Sequence, residues 1–324
     1  MKKIAVIGLG NITTRHRENL KTVYPDAIIY AMSASGRIPI DPISNADVSV
    51  NNINEIINHK PEMVIVASPA TFHAKHAVPL IEAGIPVLIE KPLAAKDSDT
   101  AIIIKAADKY QTPVAVGYCL RYLPSSNYIK ALFEEKLIGK LYNASIEIGQ
   151  YLPDWRPNRD YRNSVSANLH LGGGALLELS HEIDYAQWLL GPLKSQYAIL
   201  RSSKELLLDV EDSVDILATN DEGVVVTIHL DFLQRQAYRK CRFVGSKGSL
   251  EWDLLRNEIL LTTPNEKIIL FSDPEWNKNK MYINMVLDFE NLILGKPNQC
   301  ITLLEAKNTV SLINKIKSSV VNQK

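Results

Sequence analysis

The sequence predicts an α/β protein in two parts: an N-terminal doubly wound parallel sheet over residues 1–122 and a C-terminal α+β domain with an open, mostly antiparallel sheet over residues 123–324. Three observations carry that expectation. Short apolar runs alternate with helix-like stretches in the first part, longer strand-like runs separated by tight turns fill most of the second, and a glycine turn follows directly on the first apolar run.

In the first part "KIAVIGLG", "AIIYAMS", "EMVIVASP", "PVLIEKP" and "TPVAVGY" are apolar throughout, as strands buried on both faces of a parallel sheet must be. "TTRHRENLKTV", "INEIINHK", "FHAKHAVPLIEAG" and "SDTAIIIKAADKY" supply the crossover helices. Such a sheet takes its ligands beyond the carboxyl ends of its strands, so the residues there are the first candidates for function. In the second part "PSSNYIKALFEEKLIG" is helical, and a series of strands from "KLYNASIEIGQY" to "EKIILFS" follows, with turns such as "NDEG" and "GSKG" short enough to demand antiparallel neighbours. Two helices, near 276–294 and 302–318, close the chain.

Composition limits what these parts can do. Lys plus Arg (36) balance Asp plus Glu (36), which gives no electrostatic basis for binding nucleic acid or a membrane. Cys119, Cys241 and Cys300 are far apart and odd in number, so they form neither a disulfide framework nor a zinc-type pair, as expected in a reducing cytoplasm. No apolar run is long enough to span a bilayer, and none is expected to export or anchor the chain.

The glycine turn reads Gly8-Leu9-Gly10-Asn11-Ile12-Thr13, with Thr13 where a third glycine would stand. Gly8 permits the tight turn. Gly10 lets the backbone N–H groups of Asn11 and Ile12 approach a pyrophosphate at a helix N-terminus, where the dipole favours anions, and the Thr13 hydroxyl is a further donor. An NAD-selective site carries an acid at the end of the second strand. Here that region reads "IIYAMSASGR", with Ser33, Ser35 and Arg37 and no acid before Asp41. Serine and arginine suit a 2′-phosphate, which favours NADP(H), with NAD(H) also possible.

"GIPVLIEKPLA" ends a strand with Glu90 and Lys91 before Pro92. At a sheet's carboxyl edge beside a cofactor, partial desolvation would ready Lys91 for proton exchange, with Pro92 holding the turn and Glu90 satisfying backbone donors or a cation. The other reading of these residues is a surface ion pair, which is worth little.

The set "GLGNITTRH", "SPATFHAKHAVPLIEAGIPVLIEKPLA", "GYCLRY" and "GGGALLELSHEIDYAQWLLG" resembles the Gfo/Idh/MocA family of NAD(P)-dependent sugar and polyol oxidoreductases over essentially the whole chain. The resemblance implies a catalytic place for Lys91 near nicotinamide and substrate, and cofactor contacts from Ser68, Pro69, Thr71 and His73. It also implies Arg121 and Tyr122 as lining residues, and dimers or tetramers formed through the second sheet. For His73, a helix-start histidine that caps its own backbone is the other reading.

In "GGGALLELSHEIDYAQWLLG", read as one helix, Glu178, His181 and Asp184 recur every three residues. Neighbours at that spacing share a helical face, so two carboxylates would orient a histidine suited to proton exchange near neutral pH. An ordinary polar stripe on a surface helix is the other reading. The resembling family usually has an acid four residues before this histidine; that position is Leu177 here, and Glu178 is the nearest acid.

The stretch "QYLPDWRPNRDYRNSVSANLH" concentrates Tyr151, Trp155, Arg156, Arg159, Tyr161, Arg162 and His170. Aromatic stacking and charge-assisted bonds would suit a nucleotide sugar or an acidic sugar. A packed loop with arginines that neutralise neighbouring acids is the alternative.

Together these features point to a cytoplasmic oxidoreductase that moves hydride between nicotinamide and a hydroxyl-bearing carbon of a sugar or nucleotide sugar. Lys91 and His181 would share the proton work without a metal, Asp184 and Glu178 would assist, and Arg121, Tyr151, Trp155, Arg156, Tyr161 and His181 would hold substrate. The alternative is a non-catalytic dinucleotide-binding sensor or regulator of the same fold.

Overall fold

The computed structural model describes residues 1–321; the last three residues of the expected second domain lie outside the described range. The chain divides into two compact units. The first takes Met1–Cys119 and Asn279–Val310, and the second takes Leu120–Lys278 and residues 311–321. Residues 279–310, which the sequence reading assigns to the second domain, therefore return to the first.

In the first unit β1 (Lys3–Ile7), β2 (Ile28–Met32), β3 (Val48–Val50), β4 (Met63–Val66), β5 (Val87–Glu90) and β6 (Val114–Gly117) form one parallel sheet in the order β3-β2-β1-β4-β5-β6. The order reverses between β1 and β4, the place where such sheets open a crevice for ligand. The apolar runs behave as their composition requires: every residue of β4 and β5 is buried. Helices α1 (Asn11–Val23), α2 (Ile53–His59), α3 (His73–Glu82) and α4 (Asp97–Tyr110) make the crossovers. On α1 the buried residues Thr13, His16, Arg17 and Leu20 fall at the spacing of one helical face.

The edge strand β3 escapes the sequence reading because "VSV" is too short to show a period. Between β2 and β3 no helix forms. Instead, Arg17 Nε donates to the Ser44 carbonyl at 2.7 Å and its Nη2 to Thr14 Oγ1 at 3.1 Å, which pins the connection to α1.

In the second unit α5 (Pro124–Glu134) precedes β7 (Leu141–Gly149). Two further helices, α6 (Ala175–Glu178) and α7 (His181–Leu190), lead into β8 (Lys194–Arg201), β9 (Ser213–Thr219), β10 (Val225–Asp231), β11 (Tyr238–Gly245), β12 (Gly248–Asp253), β13 (Glu258–Thr262) and β14 (Lys267–Ser272). The sheet order is β14-β13-β12-β11-β7-β10-β9-β8, antiparallel except that β7 and β10 run parallel. Alternation sorts its faces. Ile146, Ile216, Ile228, Phe243 and Trp252 point into the core, where the Trp252 indole donates to Ser125 Oγ at 2.9 Å. Tyr197, Ile199, Leu217 and Val225 stand on exposed positions. The last helices, α8 (Lys280–Ile293) and α9 (Leu303–Val321), match the expected closing pair.

Candidate active site

Gly8 holds φ +119°, and a Cβ there would meet Ala67 O at 2.6 Å and Thr13 Cγ2 at 2.8 Å, so the turn admits glycine alone. Thr13 fills the place of a third glycine by laying its methyl against Gly8. Its hydroxyl does not face outward as the sequence reading supposed: it donates to the Gly10 carbonyl at 2.6 Å. A short-range acceptor within its own helix outcompetes an external one.

At Gly10, by contrast, an added Cβ would find nothing within 4 Å. The N-terminus of α1 has no side-chain cap and no acid in its first turn. Its first amides and the positive end of its dipole are thus left for an anion, and the open space over Gly10 fits a pyrophosphate.

The loop after β4 adds a second feature of a nucleotide site. Thr71 Oγ1 is buried without a partner, a donor that a bound group would satisfy. Ser68 Oγ lies 2.9 Å from His76 Nδ1, and burial, with the nearby Lys75 and His73, pushes the His76 pKa down to about 4. His73 is fully engaged elsewhere. Its Nδ1 lies 2.9 Å from the Pro92 carbonyl and its Nε2 2.8 Å from the Ser68 carbonyl. The ring, whose pKa burial lowers, lies between the loop after β4 and the turn after β5, and its neutral form donates to one of the two carbonyls at a time. Pro69 opens a 3-10 turn at the same edge.

After β2, Gly36 N–H closes a turn onto the Ser33 carbonyl at 3.0 Å, Ser33 and Ser35 hydroxyls pair at 3.1 Å, and Arg37 is exposed. The strand end carries no acid, as the sequence indicates.

Glu90 answers why a buried strand ends in a charge. Its Oε1 sits 2.7 Å from His16 Nε2, and its Oε2 accepts the Lys91 amide at 3.1 Å. Opposite it in β6 stands Gly117, where a Cβ would come 3.2 Å from the carboxylate. Burial alone would push the Glu90 carboxyl up; the His16 hydrogen bond, the neighbouring charges of His16 and Lys91 and the Lys91 amide outweigh it and hold the carboxyl below its ordinary value. His16, absent from the sequence-derived site, thereby joins the dinucleotide helix to the strand end that presents Lys91. Its position on the buried face of α1, six residues past Gly10, was the available signal. Lys91 itself is half-buried and precedes a cis proline, Pro92.

In the second unit the expected single helix is broken: Leu179 and Ser180 separate α6 from α7. Glu178 therefore ends one short helix and His181 begins the next, so the three-residue spacing does not place Glu178, His181 and Asp184 on one continuous helical face. Glu178 and His181 are half-buried, and Asp184 is buried. Asp184 Oδ2 and Oδ1 accept from Arg121 Nε at 2.9 Å and Nη2 at 2.8 Å, and the guanidinium lies 5.3 Å from the Trp188 ring. The expected substrate-lining arginine is thus buried as a brace for the first turn of α7. Glu182, fully buried, takes Arg239 at 2.7 and 3.0 Å and fastens the same turn to β11. This pair was not read from the sequence, because Arg239 and Glu182 are distant along the chain.

Of the remaining candidates, Trp155, Arg156 and Tyr161 line one cavity of about 380 Å³, together with Arg159, Asp160 and Ser164. Tyr151 instead stacks under Arg235 at 3.7 Å. Among the described residues no cluster of three or more His, Cys, Asp or Glu side chains could hold a metal ion, and no helix is long and apolar enough to cross a membrane.

A myo-inositol 2-dehydrogenase of Thermotoga maritima is 24% identical over 301 residues, which cover 88% of this chain and 83% of that protein. An uncharacterised oxidoreductase of Synechocystis is 32% identical over 154 residues, but there the match spans 47% of this chain and 41% of the relative. In fold, a levoglucosan dehydrogenase solved with NADH and levoglucosan superposes with a TM-score of 0.85 at 18% identity, covering 100% of this chain and 98% of that one. Residues 2–118 match the oxidoreductase family with an NAD-binding Rossmann fold and residues 127–251 match the GFO/IDH/MocA C-terminal domain, and the chain belongs to the GFO/IDH/MocA family of oxidoreductases.

Proposed function

We propose that the protein is an NADP(H)-preferring, NAD(H)-tolerant oxidoreductase acting on a hydroxyl-bearing carbon of a sugar or nucleotide sugar. The observation that carries the reading is the 2.7 Å bond from His16 to Glu90: one buried contact links the uncapped helix that receives a dinucleotide to the residue before Lys91. A strand end that bears only a surface ion pair has no need of such a buried support.

When bound, the nicotinamide supplies the hydride acceptor or donor. Gly8, Gly10, Asn11, Ile12, Ser68, Pro69 and Thr71 would hold the dinucleotide, with Ser33, Ser35 and Arg37 taking a 2′-phosphate. Lys91 and His181 would exchange the substrate hydroxyl proton, and Arg121, Asp184 and Glu182 would keep the first turn of α7 in place. The relatives named inositol and levoglucosan dehydrogenases act, by those names, on polyhydroxylated rings, which supports a carbohydrate substrate here.

The exposed Tyr197, Ile199, Leu217 and Val225 on one face of the second sheet support self-association through that face, which the mass of the particle in solution would test. The three cysteines, none of them in a disulfide among the described residues, suit a reducing cytoplasm.

The activity test is a panel of neutral sugars, hexuronates, hexose phosphates and nucleotide sugars, each with NADPH or NADP⁺ and the NAD pair, followed by nicotinamide absorbance. Turnover of one class is expected. Dinucleotide binding with no turnover across the panel would reject the enzyme.

A further inference from the structure

We infer that the loop from Leu152 to Ser166 in the second unit forms a receptor for an oxyanion carried by the substrate, a carboxylate or a phosphate. The inference rests on the carbohydrate reading above and narrows it to an acidic sugar derivative.

The cavity is lined by Leu152, Trp155, Arg156, Arg159, Asp160, Tyr161, Asn163, Ser164 and Ser166, and its volume of about 380 Å³ suits a sugar or its charged substituent. Its polar groups are mostly donors. The Trp155 indole Nε1, which can only donate, is buried without a partner, and so is the Ser164 hydroxyl. Unpaired buried donors cost stability unless something accepts from them, so these mark an acceptor that the chain itself does not supply.

The indole is fixed in place by an edge contact with Phe232, ring centroids 5.5 Å apart. The Ser166 carbonyl accepts the Gly174 amide at 2.9 Å, so this lining residue is fastened to the glycine turn that leads to α6.

Charge decides what the acceptor is. Arg156 and Arg159 face this cavity, and neither makes an ion pair among the described residues. The single carboxylate in the lining, Asp160, does not offset them: Arg162 grips it at 2.9 Å from Nε to Oδ1 and 2.9 Å from Nη2 to Oδ2. Tyr161, whose hydroxyl donates to the Leu206 carbonyl at 3.1 Å, is likewise committed. Two unneutralised guanidinium groups beside two orphan donors fit an anion and leave a neutral sugar without a partner for the charges.

The test is calorimetric titration of the intact protein with glucuronate, glucose 6-phosphate, inorganic phosphate and glucose. It would use wild type, Arg156→Ala/Arg159→Ala, Ser164→Ala, and Arg201→Ala as a single-arginine control at a site paired with Asp215. At least one oxyanion should bind about tenfold or more tighter than glucose, the double variant should lose about tenfold or more of that affinity, and the control should keep it. Ser164→Ala should lose less, in the same direction. Preference for glucuronate would assign the carboxylate, and preference for glucose 6-phosphate or phosphate the phosphoryl group. Arg162→Ala frees Asp160 to compete for the arginines and should also weaken the anion.

Equal anion affinity in wild type and double variant would overturn the receptor, even if sugars are oxidised. Anion binding lost in the double variant, with no oxidation of any sugar, would keep the receptor and overturn the redox reading instead.

Discussion

Arg121 and Asp184 meet through two parallel hydrogen bonds, Nε to Oδ2 at 2.9 Å and Nη2 to Oδ1 at 2.8 Å, with both side chains almost wholly buried. The pair clamps the first turn of α7, and His181 is the first residue of that turn. Asp184→Asn keeps the shape but removes the carboxylate charge from the guanidinium's two-bond contact. Breaking one side of a buried pair costs about 3–5 kcal/mol, so chemical denaturation should show a loss of that order. A loss below about 1 kcal/mol would mean that the clamp is not structural.

The link from His16 to Glu90 predicts an acid-side signature. Because the folded carboxyl is held below its ordinary value of 4.5, its ionised form stabilises the protein fully above that value, and the contribution fades as pH falls through the lower folded value. Glu90→Gln removes the titration. The unfolding midpoint of wild type should therefore drop more steeply than that of the variant below about pH 4.5. Parallel curves would show that Glu90 does not carry the proton linkage.

Lys91→Ala should lower turnover on the order of 10² to 10⁴ while dinucleotide affinity holds, because a positioned proton carrier contributes about that much. Unchanged turnover would take Lys91 out of the chemistry. A fall in cofactor affinity as large as the fall in turnover would recast it as a binding residue.

Arg37→Ala tests cofactor choice. A lost charge-assisted bond to a 2′-phosphate is worth about 1.5–3 kcal/mol, so NADP should bind roughly ten- to a hundred-fold more weakly while NAD is little changed. Equal loss for both dinucleotides would reject a 2′-phosphate site at the turn after β2.

Much of this was legible because the relevant signals are local. Gly8 and Gly10 directly after "KIAVI", and the unbroken apolar runs of β4 and β5, made the parallel sheet legible by spacing alone. Alternation in "GVVVTIHLDF" gave β10, although not its parallel pairing with β7, which no local pattern encodes. The break at Leu179 and Ser180 was hidden because neither residue is a helix breaker; tertiary packing overrode local propensity. The site supports His16–Glu90 and Glu182–Arg239 join residues 74 and 57 positions apart, and a single sequence carries no signal for such pairs.

On the second sheet His229 sits between two carboxylates, Nδ1 2.6 Å from Asp215 and Nε2 2.9 Å from Asp231, with Glu147 on the same face and Arg201 bonded to Asp215. The Asp231 hydrogen bond, helped by Asp215 and opposed by burial, raises its pKa to about 9 from an ordinary 6.5. A group raised in the folded state stabilises fully below its unfolded value and loses that contribution as pH climbs through the folded one. Stability should thus decline between about pH 6.5 and 9 as the imidazolium deprotonates between its carboxylates. His229→Gln keeps a donor toward one carboxylate but cannot titrate, so its unfolding midpoint should be lower at pH 6 and nearly flat across that window. Arg201 neutralises part of Asp215, and solvent reaches this face, which keeps the effect smaller than that of a buried pair. If wild type and variant decline in parallel from pH 6.5 to 9, another group governs alkaline stability.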